Sequence, residues 1–365
     1  MPSTRAAFWL RSSAPWAVVA AALACAALAP QGLFRRAAAE DVVVLRPTKA
    51  GDSPRSVSGQ ILDYTGRELR LRLPSGRERV IGPSQIERIK TDRTADQAAG
   101  DELFAKGDLR RAEARYRAAI DADHETRPWV RRQIVAQLVW CYQGLGQWEQ
   151  AGELFLALLE GDPATPYFEC IPLAWTTAQP TSALATKART WLIQRERPAM
   201  ALVGASHLLA SPDRNAALAR LRQLMDSEDP RIAWLAQTQI WRAESVRATP
   251  ADLARWSRFV EEGDETLRAG PYFVLGSALA AHDPAASALA LLEVPIMYPR
   301  QRGLAPAALL AAAAGVEKTG ATRQAAGLYR ELIDQYPSAA ETGAARRRLD
   351  ELARPPARPA AAPRN

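Results

Sequence analysis

Three histidines, His124, His207 and His282, are the residues of this chain whose side chains best suit acid–base or metal chemistry. A zinc hydrolase would need two histidines four residues apart around a glutamate, or cysteines at metal-ligand spacing, and neither pattern occurs in the sequence. His124 and His282 stand in "DADHET" and "AHDP", which are typical of exposed turns. The sequence therefore predicts neither a metal site nor a cofactor.

A serine beside a histidine, Ser206 and His207 in "VGASHL", comes closest to a nucleophile with its base. The segment lacks the closing glycine of a nucleophile elbow, and no strand precedes it. Adjacent residues of a helix point in different directions, so the two side chains would not meet. The glycines of "GLGQWEQAG" lack the spacing of a dinucleotide-binding turn. We therefore predict a protein that is not an enzyme and has no catalytic residues.

The chain has three cysteines, of which Cys25 lies in an apolar leader and Cys141 and Cys170 lie in the body. An oxidising compartment would permit a disulfide between the two body cysteines, since their spacing is not that of a metal site. The alternative is two small buried apolar side chains, because cysteine is among the most buried residue types. The sequence leaves both interpretations open.

Residues 1–39 are typical of an export signal: a basic start, an apolar run over residues 14–29 and small residues before Ala39. Two alternatives stay open. Residues 14–34 have about the length of an uncleaved membrane anchor, and "ALAC" at residues 22–25 loosely resembles a lipoprotein cleavage box. We predict an exported protein of the periplasm or cell envelope, with membrane attachment through this segment as the alternative.

The net charge of +7 is confined to the two ends of the chain. Seven arginines and no acidic residue occur in residues 1–39 and 354–365, so the body between them balances 40 basic against 40 acidic residues. A neutral body is weak evidence for a polyanionic partner. We therefore expect no nucleic acid as partner.

Residues 40–92 form a segment of short apolar or alternating runs separated by turn-forming residues. Strands are predicted at 41–45, 57–64, 67–73, 77–82 and 86–91. In "LRLRL" the leucines would lie on one face of a strand and Arg70 and Arg72 on the other. About five strands in so short a segment favour a small barrel, and the pattern resembles the SH3-like and Sm-like barrels.

From residue 93 the apolar spacing becomes helical, and three segments share one template. Each has a glycine, an alanine five residues later, an aromatic residue nine later and an apolar residue twelve later. The members are Gly107, Ala112, Tyr116 and Ala119; Gly146, Ala151, Phe155 and Leu158; and Gly320, Ala325, Tyr329 and Leu332.

This template resembles the tetratricopeptide repeat (TPR), a helix pair of about 34 residues. The glycine would end the first helix in a left-handed conformation, the alanine would let the two helices cross closely, and the aromatic ring would fill the space beside the crossing. The resemblance implies a mainly α fold: an α-solenoid of TPR-like helix pairs over residues 93–353, with about seven repeats and roughly fifteen helices. Residues 354–365 are rich in proline and alanine and are predicted to be disordered.

The resemblance also implies a function, because first helices in TPR arrays line a concave groove that binds peptides. The predicted groove residues are Gln97, Asp101, Phe104, Gln133, Trp140 and Gln143. We predict a non-catalytic interaction or scaffolding component of the cell envelope with a protein or peptide partner. Two alternatives stay open: an envelope polyanion- or glycan-binding protein that uses the β domain, and an enzyme accessory or hydrolase with an unrecognised site.

Overall fold

The computed structural model describes residues 40–47, 53–121 and 125–354 of the 365-residue chain. The predicted export signal and residues 355–365 of the predicted tail lie outside the described residues. The described part contains five strands and fourteen α-helices, so the fold is mainly helical with a small antiparallel sheet. By its contacts the chain divides into two units.

The five strands lie close to their predicted positions. They are β1 (Asp41–Leu45), β2 (Arg55–Tyr64), β3 (Leu69–Arg72), β4 (Glu78–Ile81) and β5 (Ile86–Lys90). They form one sheet in the order β4-β3-β2-β1-β5, and every neighbouring pair is antiparallel. Leu69 and Leu71 are buried while Arg70 and Arg72 are exposed, which confirms the predicted alternation in β3.

The helices are α1 (Ala95–Ala105), α2 (Leu109–Asp121), α3 (Pro128–Gly144), α4 (Trp148–Gly161), α5 (Ser182–Leu192), α6 (Pro198–Leu208), α7 (Arg214–Leu224), α8 (Pro230–Glu244), α9 (Pro250–Glu262), α10 (Ala269–Leu279), α11 (Pro284–Met297), α12 (Ala305–Lys318), α13 (Thr322–Gln335) and α14 (Thr342–Ala353). From α9 to α14 each helix packs against the next one in the chain.

The three template glycines have the backbone conformation that the sequence predicts. Gly107, Gly146 and Gly320 have φ angles of 79°, 71° and 85°, each between two helices. The alanine, aromatic and apolar residues that follow them at the template positions are all buried. In the first template copy the Tyr116 ring packs against Gly100, upstream in α1. A Cβ on Gly100 would lie 2.7 Å from the ring, so this position requires a residue without a side chain.

Gly320→Ala should lower the free energy of unfolding by about 1 kcal/mol, because an L-residue is disfavoured at this φ angle. No atom lies within 4 Å of a Cβ built there, so the effect isolates the backbone conformation. Gly327→Ala is the matched control: Gly327 lies inside α13 with equally open space, and alanine should stabilise the helix there by roughly 0.5 kcal/mol. Urea unfolding, followed by circular dichroism, measures the free energy of unfolding of both variants. A change in the same direction for both would contradict the prediction.

The first unit runs to Phe104 and also contains Arg110–Leu138 and Glu153–Cys170. This unit therefore joins the sheet to helices. Arg132 on α3 shows how this happens: its Nη2 donates to Asp63 Oδ1 at 2.5 Å and to the Tyr64 carbonyl at 2.9 Å. The Gly66 amide donates to Asp162 Oδ2 at 3.0 Å. These bonds tie the β2–β3 turn to the helical part of the unit.

The second unit contains Ala105–Leu109, Val139–Gly152 and the described chain from Ile171 onward. Within it, Arg302 Nη2 donates to the Ala105 carbonyl, 197 positions away, and the Arg302 guanidinium lies 5.4 Å from the centre of the Tyr336 ring. A Cβ on Gly303 would lie 2.9 Å from the Gln143 carbonyl oxygen. An open solenoid does not predict such contacts, because its repeats contact only their neighbours.

Residues 171–181, "IPLAWTTAQPT", form neither helix nor strand, although they lie within the region 93–353 that is predicted to be helical. Pro172 and Pro180 explain this. Each lacks a backbone donor, and proline disfavours helical conformation in the residue before it. The stretch left between the two prolines is too short to form a stable helix. We call residues 171–181 the irregular segment.

Candidate functional site

The six predicted groove residues do not form an exposed surface. Gln97, Phe104, Trp140 and Gln143 are buried, with exposed fractions of 2%, 7%, 3% and 6%. Gln97, Asp101, Phe104 and Gln133 belong to the first unit, and Trp140 and Gln143 belong to the second. The four buried side chains therefore pack in the interior, and of the six, Gln143 lines a cavity that is described below.

Asp101 has a structural role in the first unit. Its Oδ1 accepts a hydrogen bond from the Tyr116 hydroxyl at 2.7 Å, and its Oδ2 pairs with Arg93. Tyr116 is the aromatic residue of the first template copy. The carboxylate thus fixes a core ring, as the helix-pair packing requires.

Cys141 in α3 and Cys170 at the end of a short 3₁₀ turn are both buried, and the structure carries them as thiols rather than as a disulfide. Burial is what the small-apolar interpretation of the sequence predicts for both side chains. Neither lines the cavities described below.

Ser206 and His207 on α6 are buried and hold the irregular segment in place. Ser206 Oγ accepts from the Ala174 amide at 3.1 Å and donates to the Val203 carbonyl at 2.8 Å. His207 Nε2 lies 3.0 Å from the Pro172 carbonyl oxygen, which can only accept, so Nε2 carries the proton. Residues 171–175, the less exposed part of the segment, form neither helix nor strand and need such partners for their peptide groups. The pair that could suggest a nucleophile therefore has a structural explanation.

Gln239 on α8 is the third buried side chain that forms a hydrogen bond with the irregular segment. Its Nε2 donates to the Ala174 carbonyl at 3.1 Å, so side chains from α6 and α8 satisfy both the amide and the carbonyl of Ala174. Gln239 has no exposed surface. The irregular segment is thus held in place by hydrogen bonds from buried side chains.

The free energy of unfolding should fall at acid pH because of the titration of His207. Burial lowers the pKa of His207 to about 4 from its ordinary value of 6.5, with a further lowering by the Arg242 charge and an opposing effect of the Pro172 hydrogen bond. Because the folded pKa is depressed, this histidine takes up its proton more readily in the unfolded chain. Its contribution to stability is present above pH 6.5 and is lost as the pH falls toward 4, by about 2 kcal/mol between pH 7 and pH 5.

The measurement is urea unfolding of the wild type and of His207→Gln at pH 7 and pH 5. Glutamine can keep a donor near the Pro172 carbonyl but does not titrate, so the loss in the variant should be smaller by about 2 kcal/mol. Equal losses in both proteins would show that His207 does not carry the effect.

The first cavity, which we call the amide cavity, has a volume of about 270 Å³ and lies in the second unit. The irregular segment forms one wall, and residues of α3, α4, α5 and α6, the turn before α12 and Glu341 contribute the others. Three glutamine amides and two indoles are among its lining side chains: Gln143, Gln179, Gln301, Trp148 and Trp175. The mixture can donate and accept hydrogen bonds beside flat apolar surfaces.

The second cavity, which we call the arginine cavity, has a volume of about 670 Å³ and also lies in the second unit. It shares Trp175, Thr176, Ala178 and Glu341 with the amide cavity, so the two adjoin. Its remaining walls come from α8, α10 and α12, three alternate helices. Most of the lining is apolar, and Arg242 at the end of α8 is its cation.

A third recess, of about 560 Å³, lies over an aromatic cluster of α8 and α9. Trp241 and Trp256 stack with ring centres 4.9 Å apart, and Phe259 meets Trp241 edge-on at the same distance. Both tryptophans are buried. The cluster is therefore mainly core packing, with Arg255 and Asp252 ion-paired at its rim.

The arginines of β3 are ion-paired across the sheet. Arg70 Nη2 lies 2.9 Å from Glu78 Oε2 and Arg72 Nη2 lies 3.4 Å from Glu78 Oε1. The Arg70 hydrogen bond, ahead of the other contacts, lowers the pKa of Glu78. One carboxylate thus offsets part of the positive charge of this face.

Sequence reasoning missed the residues that line the cavities, among them Gln179, Gln301, Arg242 and Glu341. They lie in the irregular segment, at helix ends and in turns, outside the template. The proline-flanked break in helical spacing at residues 171–181 is a signal that could have directed attention there.

In the part of the chain that the structure describes, no group of three or more histidine, cysteine, aspartate or glutamate residues could hold a metal ion. Among the described helices, none combines the length and the apolar character that crossing a bilayer requires. Comparison with protein-family models, with curated proteins and with solved structures finds no match for this chain.

Proposed function

We propose that this protein is a non-catalytic binding component built from TPR-like helix pairs, and that it binds a peptide segment of a partner protein in the amide cavity. The pairs would be α1/α2, α3/α4, α6/α7, α8/α9, α10/α11 and α12/α13, with the irregular segment in place of the first helix before α5 and with α14 at the end. The first helices from α6 onward begin at Pro198, Pro230, Ala269 and Ala305, which are 32, 39 and 36 residues apart. This spacing supports a degenerate repeat of about 34 residues.

The helices that line the arginine cavity support the same assignment of helix pairs. α8, α10 and α12 are all first helices in this assignment, and all three line the arginine cavity. In TPR arrays first helices line the binding surface, so the alternation is what the resemblance implies. The left-handed glycines at 107, 146 and 320, each between the members of a proposed pair, add to this support.

The β-sheet supports the proposed likeness to small SH3-like barrels. β1 lies between β2 and β5, and a 3₁₀ turn at Pro83–Gln85 precedes β5. We propose a structural role for this module, since its β3 arginines share Glu78. The proposed location in the cell envelope depends on the sequence of residues 1–39.

The observation that carries the proposed function is the lining of the amide cavity. Each glutamine amide offers a donor and an acceptor, which match the carbonyl and N–H groups of a peptide backbone. Trp148 and Trp175 supply apolar faces for its side chains. A concave site with a few placed polar groups and aromatic walls is the usual form of a binding site.

The test is selection of linear peptides from a random displayed library on the purified full chain, followed by calorimetric titration. Gln301→Leu keeps an apolar stem and removes an amide from the cavity, and it should weaken the selected peptides by about tenfold or more. Gln335→Leu, an exposed glutamine at the end of α13, is the matched control and should leave the affinity unchanged. Failure to select any peptide, or equal loss in both variants, would contradict the proposal.

A further inference from the structure

The arginine cavity contains a cation, Arg242, that forms no ion pair with any carboxylate of the described residues. Arg242 Nη2 donates to the Ser206 carbonyl at 2.5 Å. Its Nη1 is buried and has no hydrogen-bond partner. Among the described residues no carboxylate forms an ion pair with Arg242, and the charged group that acts on it most is another cation, Arg214. A buried group in this state costs stability that a ligand could restore.

Arg242 remains protonated at neutral pH. Burial and the neighbouring Arg214 lower the pKa of Arg242 to about 9, which is still well above 7. Arg214 is itself a cation and adds to the positive charge rather than offsetting it; its guanidinium donates to the Leu209 and Ala243 carbonyls. Glu341, the acidic residue that lines the cavity, forms no ion pair with Arg242 in the described structure. The Arg242 end of the cavity therefore presents an unpaired guanidinium charge, which one negative charge would neutralise.

The rest of the cavity favours an apolar group. Ala307, Leu310, Ala311 and Ala314 lie on one face of α12, at the three- and four-residue spacing of a helical stripe, and Phe273 and Val274 of α10 line it too. Small alanines give a smooth wall rather than separate side-chain pockets. A volume of about 670 Å³ is in the range of small-molecule sites.

We propose that the arginine cavity binds a small amphiphilic carboxylate, with its carboxylate at Arg242 and its alkyl chain along the apolar faces of α10 and α12. One cation matches a monoanionic carboxylate, whereas a phosphate dianion would call for more than one. An alkyl chain fits the smooth apolar wall. This site is separate from the peptide site of the proposed function and does not depend on it, although the two share the wall formed by Trp175.

The experiment titrates the full chain with sodium decanoate and with decanol, both below the concentrations at which they aggregate, by calorimetry. Decanoate should bind at least about tenfold more tightly than decanol, because only decanoate can pair with the guanidinium. Arg242→Met should remove this preference and leave the affinity for decanol unchanged. Arg220→Met is the matched control, since Arg220 also donates to a carbonyl at the end of a neighbouring helix but does not line the cavity.

Ala311→Trp is the second variant, and it keeps Arg242 while filling the cavity. It should abolish the binding of decanoate. This variant therefore tests the site even if Arg242→Met does not fold. Equal affinity for decanoate and decanol, unchanged decanoate binding in Arg242→Met or Ala311→Trp, or no binding at millimolar decanoate would each overturn the proposal. The peptide titration with Gln301→Leu is a separate measurement, so the failure of one proposal does not imply failure of the other.

Discussion

Tyr329→Ala is expected to lower the free energy of unfolding by about 3 to 5 kcal/mol. The Tyr329 ring is 2% exposed and packs in a cluster between α12, α13 and α14. Many of its neighbours are alanines, among them Ala313, Ala325 and Ala345, which have no exposed surface and no flexible atoms that could fill the space. Removal of the ring therefore leaves a cavity that the surroundings cannot close.

Tyr329→Phe separates the contribution of the ring to stability from that of its hydroxyl. The hydroxyl donates to Glu317 Oε2 at 3.2 Å, but Glu317 is also held by Arg348. Phe155 occupies the same template position in the second copy without a hydroxyl. The phenylalanine variant should therefore lose about 1 kcal/mol or less.

Urea unfolding with linear extrapolation measures both variants. Leu289→Ala serves as the control, because Leu289 is a large apolar residue that is 70% exposed, and its removal should change the free energy of unfolding by less than about 0.5 kcal/mol. A loss in Tyr329→Phe equal to that in Tyr329→Ala would place the effect in the hydroxyl and contradict the assigned role of the ring.

The sequence predicts secondary structure well where the properties of neighbouring residues determine it. Gly107, Gly146 and Gly320 were predicted to be left-handed because glycine tolerates that conformation, and all three are. The strand at Leu69 and Leu71 follows from period-two alternation, which only a half-buried strand satisfies. The helix count of roughly fifteen is close to the fourteen α-helices that the described residues contain.

The sequence did not predict what depends on contacts between distant residues. The burial of Phe104 and Trp140 is set by packing against other parts of their units, which helical spacing alone does not reveal. Arg302 reaches the Ala105 carbonyl across 197 positions, and no local pattern indicates such a partner. The two cavities share this property, because residues from α8, α10, α12 and the irregular segment come together only in the folded unit.

Gly270→Ala is expected to lower the free energy of unfolding by about 3 kcal/mol, an unusually large effect for one added methyl group. A Cβ on Gly270 would lie 1.9 Å from Cε2 of Trp175 and 2.2 Å from two further ring atoms. The indole is rigid, and hydrogen bonds between the neighbouring Ala174 and the side chains of Ser206 and Gln239 fix the backbone beside it. The ring must therefore leave its place or α10 must shift.

The decisive measurement is a double-mutant cycle with Trp175→Ala. Without the indole the added methyl group meets empty space, and alanine should even favour α10 by up to about 1 kcal/mol over glycine. The two substitutions should thus show a coupling energy of about 3 kcal/mol or more, far outside the additivity of independent sites. Additive effects within about 0.5 kcal/mol would mean that Trp175 does not rest on Gly270.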